Sequence, residues 1–248
     1  MGSLDGKAAV ITGAGRGIGK ACVEVFVREG AKVLAVDVSG EEKDVAAALG
    51  PAVVPFHADL TREDDVVAAF DTAAMAFGRV DALVNVAGTP GSRPVEYLDA
   101  DHYEAMTSVN LRGVLLATRH AVRAMLTTGG GSIVTVASVA GTMNIEARTP
   151  VVYMAAKAGA HVITKSVAVE YGPKGIRANT VAPGFTLTET TGRAPAETIA
   201  AMSAKATLGR AATAVDQAEM IAFLSSDRAA FVNGVLIPVD GGWSARMV

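Results

Sequence analysis

The chain has 248 residues, half of them hydrophobic and 19% charged, with a formal net charge of −3. That composition excludes disorder as a class and is enough for one large domain with a sizeable core. No basic run is present, so nucleic acid is not an expected partner.

The first residues, MGSLDGKAAVITG, lack the charged lead and apolar centre of a signal peptide. No apolar run reaches the length needed to span a bilayer, and a cytoplasmic protein without a membrane partner is expected. Short apolar runs at 7–12, 32–37, 52–57, 81–86, 132–138, 177–183 and 234–240 then alternate with helical patterns such as GKACVEVFVREG and REDDVVAAFDTAAMAFG. The runs are continuous and rich in β-branched residues, which indicates strands buried on both faces. Strand–helix–strand repetition predicts an α/β protein with a doubly wound parallel sheet of seven strands and helices on both faces. No Pro/Gly/Ser linker interrupts it, so residues 1–248 read as a single domain, and TGGGS at 128–132 reads as a turn.

Directly after the first strand comes TGAGRGIG, with Gly13, Gly15, Gly17 and Gly19, and then the helix IGKACVEVFVREG. Backbone amides at a helix N-terminus favour a diphosphate, and glycines let it approach. Asp37 ends the second strand, 24 residues beyond Gly13, where a carboxylate accepts from a ribose diol. The same carboxylate repels a 2′-phosphate. Arg16, in the loop, could pull the other way, but the acid favours NAD over NADP.

Some residues carry no special chemistry. Cys22 falls among apolar neighbours and reads as a buried structural thiol. His57, His102, His120 and His161 lack metal-ligand spacing, so no metal is expected. TVASVAG is not a nucleophile elbow, because Val136 stands where the first glycine would be.

Later in the chain, VVYMAAKAG places Tyr153 and Lys157 four residues apart, hence on one face of a helix. A snorkelling lysine beside an amphipathic tyrosine would explain that pair on its own. A chemical role is the alternative. A tyrosine with an ordinary pKa of ~10 is a poor base at neutral pH, and a fixed cation one turn away would favour the phenolate.

Together these residues resemble the short-chain dehydrogenases/reductases. The glycines follow T-G-x-x-x-G-x-G; NVAG (85–88) is similar to the family's N-N-A-G, NLRG (110–113) to N-x-x-G, YMAAK to Y-x-x-x-K and PGFTLT (183–188) to P-G-x-x-x-T. The matches run in family order from residue 12 to VDGGW at 239–243. The resemblance implies a Rossmann fold and an NAD-dependent oxidoreductase acting on a small secondary alcohol or ketone. It implies Tyr153 as general acid/base, Lys157 holding the nicotinamide ribose, Ser138 at the substrate oxygen, and Asn110 positioning a water for proton relay. Asp59 looks like the adenine contact. Thr188 and the backbone near Thr186 resemble the clamp on the nicotinamide carboxamide. Ile18, Leu60, Asn85, Ala87, Gly88, Pro183 and Gly184 complete the implied cofactor contacts.

Two departures stand out. Val86 replaces the second Asn of N-N-A-G, and 15 positions separate Ser138 from Tyr153, against about thirteen in typical members. The lengthened loop lies where substrate would sit. The pocket is expected from 89–98, 139–150 and 185–208, which contain Arg93, Glu146, Arg148 and Arg193 beside Met143, Ile145, Phe185 and Leu187. An NADPH-dependent 3-oxoacyl carrier-protein reductase is the alternative reading. Asp37 opposes it, as does the shortage of basic docking residues beyond Arg193, Lys205 and Arg210. A catalytically silent nucleotide-binding protein is a further alternative, opposed by retention of Ser, Tyr, Lys and Asn. The wide apolar stripe of AVDQAEMIAFLSS, the final apolar strand, and Trp243, Met247 and Val248 suggest contacts between copies; the family resemblance implies a homotetramer.

Overall fold

The structure is a computed structural model that describes residues 2–91, 93–143 and 150–246. The first half runs β1 (Ala8–Thr12), α1 (Gly17–Arg28), β2 (Lys32–Asp37), α2 (Glu42–Leu49), β3 (Val53–His57), α3 (Glu63–Phe77) and β4 (Ala82–Asn85). Then come α4 (Ala100–Thr107), a π-helical turn (Ser108–Gly113), α5 (Val114–Thr128), β5 (Gly131–Val136) and the short α6 (Val139–Thr142). The rest is α7 (Val151–Tyr171), β6 (Ile176–Pro183), β7 (Thr186–Leu187), α8 (Ala196–Ser203), β8 (Ala212–Thr213), α9 (Ala214–Ser225) and β9 (Leu236–Val239).

Seven strands pair in the order β3-β2-β1-β4-β5-β6-β9, all parallel. Side-chain alternation sends neighbouring residues to opposite faces. Ala9, Ile11, Val33 and Val84 join a core containing Phe26 of α1 and Ile221 of α9. Val10, Leu34 and Leu83 join a second containing Phe70 of α3 and Met125 of α5. Both faces are covered, so the strands are apolar throughout, and the fold is the doubly wound Rossmann type. Among the described residues, no helix is long and apolar enough to cross a membrane.

The strand order reverses between β1 and β4. In an open α/β sheet, that reversal opens a crevice beyond the carboxyl ends of the strands. The turn at TGGGS is as expected, with Gly129 and Gly130 at φ 90° and 130° between α5 and β5.

Three details depart from the sequence reading. The fifth strand stops at Val136, leaving Ser138 two residues beyond it as the N-cap of α6, where its hydroxyl accepts from Ala140 N at 3.2 Å. β7 and β8 form an extra two-stranded ladder, too short to leave a periodic signature. Trp243 is only half-exposed, with Lys205 Nζ 4.9 Å from its ring centroid, and Met247 and Val248 lie outside the described residues.

Candidate active site

The glycine loop joins β1 to α1 by close backbone approach. Gly13 has φ +67°, and a Cβ there would lie 2.8 Å from Ala87 Cα. A Cβ on Gly19 would lie 1.8 Å from Gly13 O, so only glycine lets the first turn of α1 fold onto the loop. Thr12 fixes the neighbouring strand end: its Oγ1 accepts from the amides of Val86 (3.1 Å) and Ala87 (3.3 Å). The NVAG segment is thereby tied to the glycine loop, a role for Thr12 that its place at the end of a strand did not reveal.

Asp37 stands opposite this loop. Its Oδ2 accepts from Gly15 N at 2.8 Å and its Oδ1 from Ser39 N at 2.9 Å. Burial pushes its pKa up, but the bonds from Gly15, Ser39 and Val38 outweigh burial and hold it below the ordinary carboxylate value. The carboxylate stays ionised, as a diol acceptor requires. Gly17 N, the first amide of α1, donates to Glu189 Oε2 at 3.0 Å. Glu189 therefore places a carboxylate against the end of the helix where the loop would hold a diphosphate. Its sequence context gave no sign of this.

At the carboxyl ends of β4, β5 and β6 lies a cavity of about 300 Å³ lined by Ser138, Tyr153 and Lys157. Ile18, Gly88, Pro183, Gly184, Thr186 and Thr188 line it too, so nine of the expected site residues meet here. Val86, Pro90, Val136 and Phe185 supply apolar wall. Tyr153 and Lys157 share one face of α7, and the Lys157 Nζ is 5.7 Å from the tyrosine ring centroid. The lysine is buried and donates to Val136 O at 2.9 Å. Burial pushes its pKa down to about 8. Tyr153 is pushed the other way: burial raises its pKa, and the hydrogen bond with Ser138 only partly offsets that. The net shift of Tyr153 is therefore upward, opposite to the expected lowering, because desolvation of the phenol outweighs its hydrogen bond.

Asn110 sits in the π-helical turn between α4 and α5 and is fully buried. Its Nδ2 donates to Met106 O (2.9 Å) and Thr89 O (3.0 Å), and its Oδ1 accepts from Thr89 N at 3.3 Å. A π-turn adds one residue to the helix and often marks a functional site. Here it brings Asn110 beside Gly88, where an added Cβ would lie 2.7 Å from Asn110 Oδ1 and 3.2 Å from Lys157 Nζ. The π-turn leaves no mark on the periodicity of the sequence.

Other expected residues turn elsewhere. Asn85 Nδ2 donates to Thr118 (3.1 Å) and Thr135 (3.4 Å), inside the sheet rather than in the crevice. Asp59 Oδ1 accepts from the Thr61 amide and hydroxyl at 2.9 and 2.8 Å. Leu60 lies against Gly113, 3.2 Å from where its Cβ would be. Arg93 Nη1 donates to Asp99 at 2.5 Å, and Arg210 is paired with Asp216. Leu187 lines a separate cavity beside Gly17 and Glu189. Ile145, Glu146 and Arg148 lie outside the described residues. Cys22 is fully buried, and burial raises its pKa, as a structural thiol requires.

Residues 13–244 match the family model described as enoyl-(acyl carrier protein) reductase. The chain is 41% identical over 243 residues to cis-4-hydroxycyclohexanecarboxylate dehydrogenase of Sinomonas cyclohexanicum, covering 96% of this chain and 97% of that one. It is 38% identical over 247 residues to 3-alpha-(or 20-beta)-hydroxysteroid dehydrogenase of Mycobacterium bovis, covering 99% and 92%. Among solved structures, that of gox2181 superposes with a TM-score of 0.94 at 30% identity, covering 98% of this chain and 97% of that one. The chain belongs to the short-chain dehydrogenase/reductase family, oxidoreductases that use NAD(H) or NADP(H) to act on alcohol groups.

Proposed function

We propose that the protein is an NAD-dependent dehydrogenase/reductase acting on a secondary alcohol or ketone, with Tyr153 as general acid/base. The observation that carries this reading is the meeting of Ser138, Tyr153 and buried Lys157 in one cavity, with a hydrogen bond between Ser138 and Tyr153. The glycine loop ahead of the N-terminus of α1 fits a dinucleotide's diphosphate, and ionised Asp37 fits its adenosine diol. When bound, the nicotinamide supplies or accepts the hydride.

The chain's own residues handle the proton. The Ser138 hydroxyl holds the substrate oxygen beside Tyr153 and stabilises its developing charge. Tyr153 Oη takes the proton in oxidation and returns it in reduction. Lys157 donates to the nicotinamide ribose and keeps a positive charge near the phenol as the proton leaves. Asn110, its amide spanning Met106 and Thr89, orders the backbone behind Lys157 and positions a water for the relay. Leu60, Asn85 and Ala87 shape the adenosine side through backbone placement, and Thr186 and Thr188 meet the carboxamide.

Both relatives described above are named for hydroxylated ring compounds. The apolar wall of Val86, Pro90, Val136 and Phe185 suits such a substrate, so a cyclic secondary alcohol is the proposed class. The name of the matching family model, which also refers to an acyl carrier protein, favours a second reading, an NADPH-dependent 3-oxoacyl carrier-protein reductase. Asp37 and the pairing of Arg210 with Asp216 speak against it. A turnover screen of cyclic and linear secondary alcohols and an acyl thioester, each with NAD and NADP side by side, tests the proposal. Ring alcohols should turn over, at least about tenfold more efficiently with NAD, equivalent to ~1.4 kcal/mol. A tenfold preference for NADP, or activity confined to the thioester, would refute it.

A further inference from the structure

We infer that Glu41 is a second cofactor-specificity residue, one that holds Arg16 away from a 2′-phosphate so that the loop's own arginine cannot recruit NADP. The inference rests on the proposed placement of the adenosine ribose at Asp37.

Arg16 follows Gly15, whose amide donates to Asp37, so its guanidinium is the nearest basic group in sequence to the ribose site. In a loop that admitted NADP, such an arginine would meet the extra phosphate. Here its Nη1 faces Glu41 Oε1 at 3.7 Å, with the two side chains 55% and 46% exposed. Glu41 is anchored close by: a Cβ placed on Gly15 would lie 3.0 Å from Glu41 Cβ, 2.9 Å from Ser39 Oγ and 3.1 Å from Asp37 Oδ2. Ser39 also accepts from Glu41 N at 3.3 Å. The β2–α2 turn therefore carries two carboxylates, Asp37 and Glu41, to one spot beside the loop.

The surrounding charges add to this. A cavity of about 320 Å³ alongside is lined by Arg16 and Lys20 but also by Glu24, Glu41, Asp44 and Glu189. Lys20 is itself 4.0 Å from Glu24. A dianionic 2′-phosphate entering here meets an acidic excess, with both cations already facing acids. An exposed ion pair is weak as a contribution to stability. Its effect on selectivity is larger, because the phosphate must displace Glu41 from Arg16 and also bear its repulsion.

Two carboxylates on one target predict coupling. While Asp37 remains, neutralising Glu41 gains little, because Asp37 still excludes the phosphate. Once Asp37 is removed, Glu41 becomes the remaining barrier. Calorimetric titrations at low ionic strength, where surface charges are least screened, with 5′-ADP and 2′,5′-ADP as probes isolate this end of the cofactor from catalysis. In an Asp37→Ser background, adding Glu41→Gln should tighten 2′,5′-ADP at least about fivefold relative to 5′-ADP, the scale of a charge-assisted contact. Adding Arg16→Ala to that double variant should abolish the gain. Thermal melts of each variant establish that it is folded.

In the Asp37→Ser background, a change of less than about twofold on adding Glu41→Gln, near the limit of one weak exposed pair, would overturn the inference. So would a gain that survives Arg16→Ala, since Glu41 would then act by repulsion and not by holding the arginine. Failure of the underlying reading looks different: the unmodified protein would bind NADP more tightly than NAD. If it prefers NAD and Glu41→Gln has no effect even in the Asp37→Ser background, only the role of Glu41 falls.

Discussion

Lys157 illustrates how a single side chain serves chemistry against stability. It is buried, makes one hydrogen bond to a backbone carbonyl, and has its pKa pushed down to about 8. The unfolded chain would keep its proton to about 10.4. Below pH ~8 both states are charged and the fold carries the desolvation cost. As pH rises from ~8 toward ~10.4 the folded lysine releases its proton first, so the fold gains stability across that window. Lys157→Met should remove this rise and be at least as stable as the parent near pH 7, while nicotinamide-dependent turnover is lost. Urea denaturation of both proteins at about pH 7 and 9 measures it; an unchanged rise in the variant would show that another group is responsible. The raised pKa of Tyr153 has the complementary kinetic consequence. Oxidation needs the deprotonated phenol together with the charge on Lys157, so its rate should rise with pH to about 8 and then level off as Lys157 loses its proton.

Among the elements, the junction of β1 and α1 tolerates least change. Gly19→Ala would set a methyl 1.8 Å from Gly13 O, a backbone atom that cannot swing aside. The variant should lose about 1–3 kcal/mol or more of stability and its dinucleotide affinity together, read by thermal melts with and without NAD. Gly19→Ala with undiminished melting temperature and NAD response would show that the loop does not need that contact. The loop was legible from sequence because its constraint is local: residue type, spacing and flanking elements are all written within eight positions. Tyr153 and Lys157 were legible for the same reason, being one helical turn apart. The π-turn at Asn110 and the β7–β8 ladder were not, since each depends on packing between segments distant in sequence. Glu189 and Glu41 were missed because an acid in a polar loop has no distinctive pattern until the chain folds it against Gly17 or Arg16. The sign of the tyrosine shift was also beyond spacing, because it is set by burial, which the sequence shows only indirectly.

For the whole molecule, the surface around α9 and β9 is the candidate contact between copies. β9 is an edge strand, Met220 and Phe223 on α9 are only half-buried, and Phe231 is fully exposed. Apolar groups along an open sheet edge invite another copy. We expect a homotetramer, with a light-scattering mass about four times the chain's 25.2 kDa; a mass near one chain would contradict it. The central claim is that this crevice moves a proton through Tyr153 while a hydride passes to or from NAD. Its most direct test compares NAD-dependent oxidation of a ring alcohol by the parent and by Tyr153→Phe, with NAD affinity measured alongside. The account predicts a kcat lower by ~10²–10⁴-fold with nearly unchanged NAD affinity. A variant retaining more than about a tenth of parental activity, outside the range for loss of a general base, would contradict it.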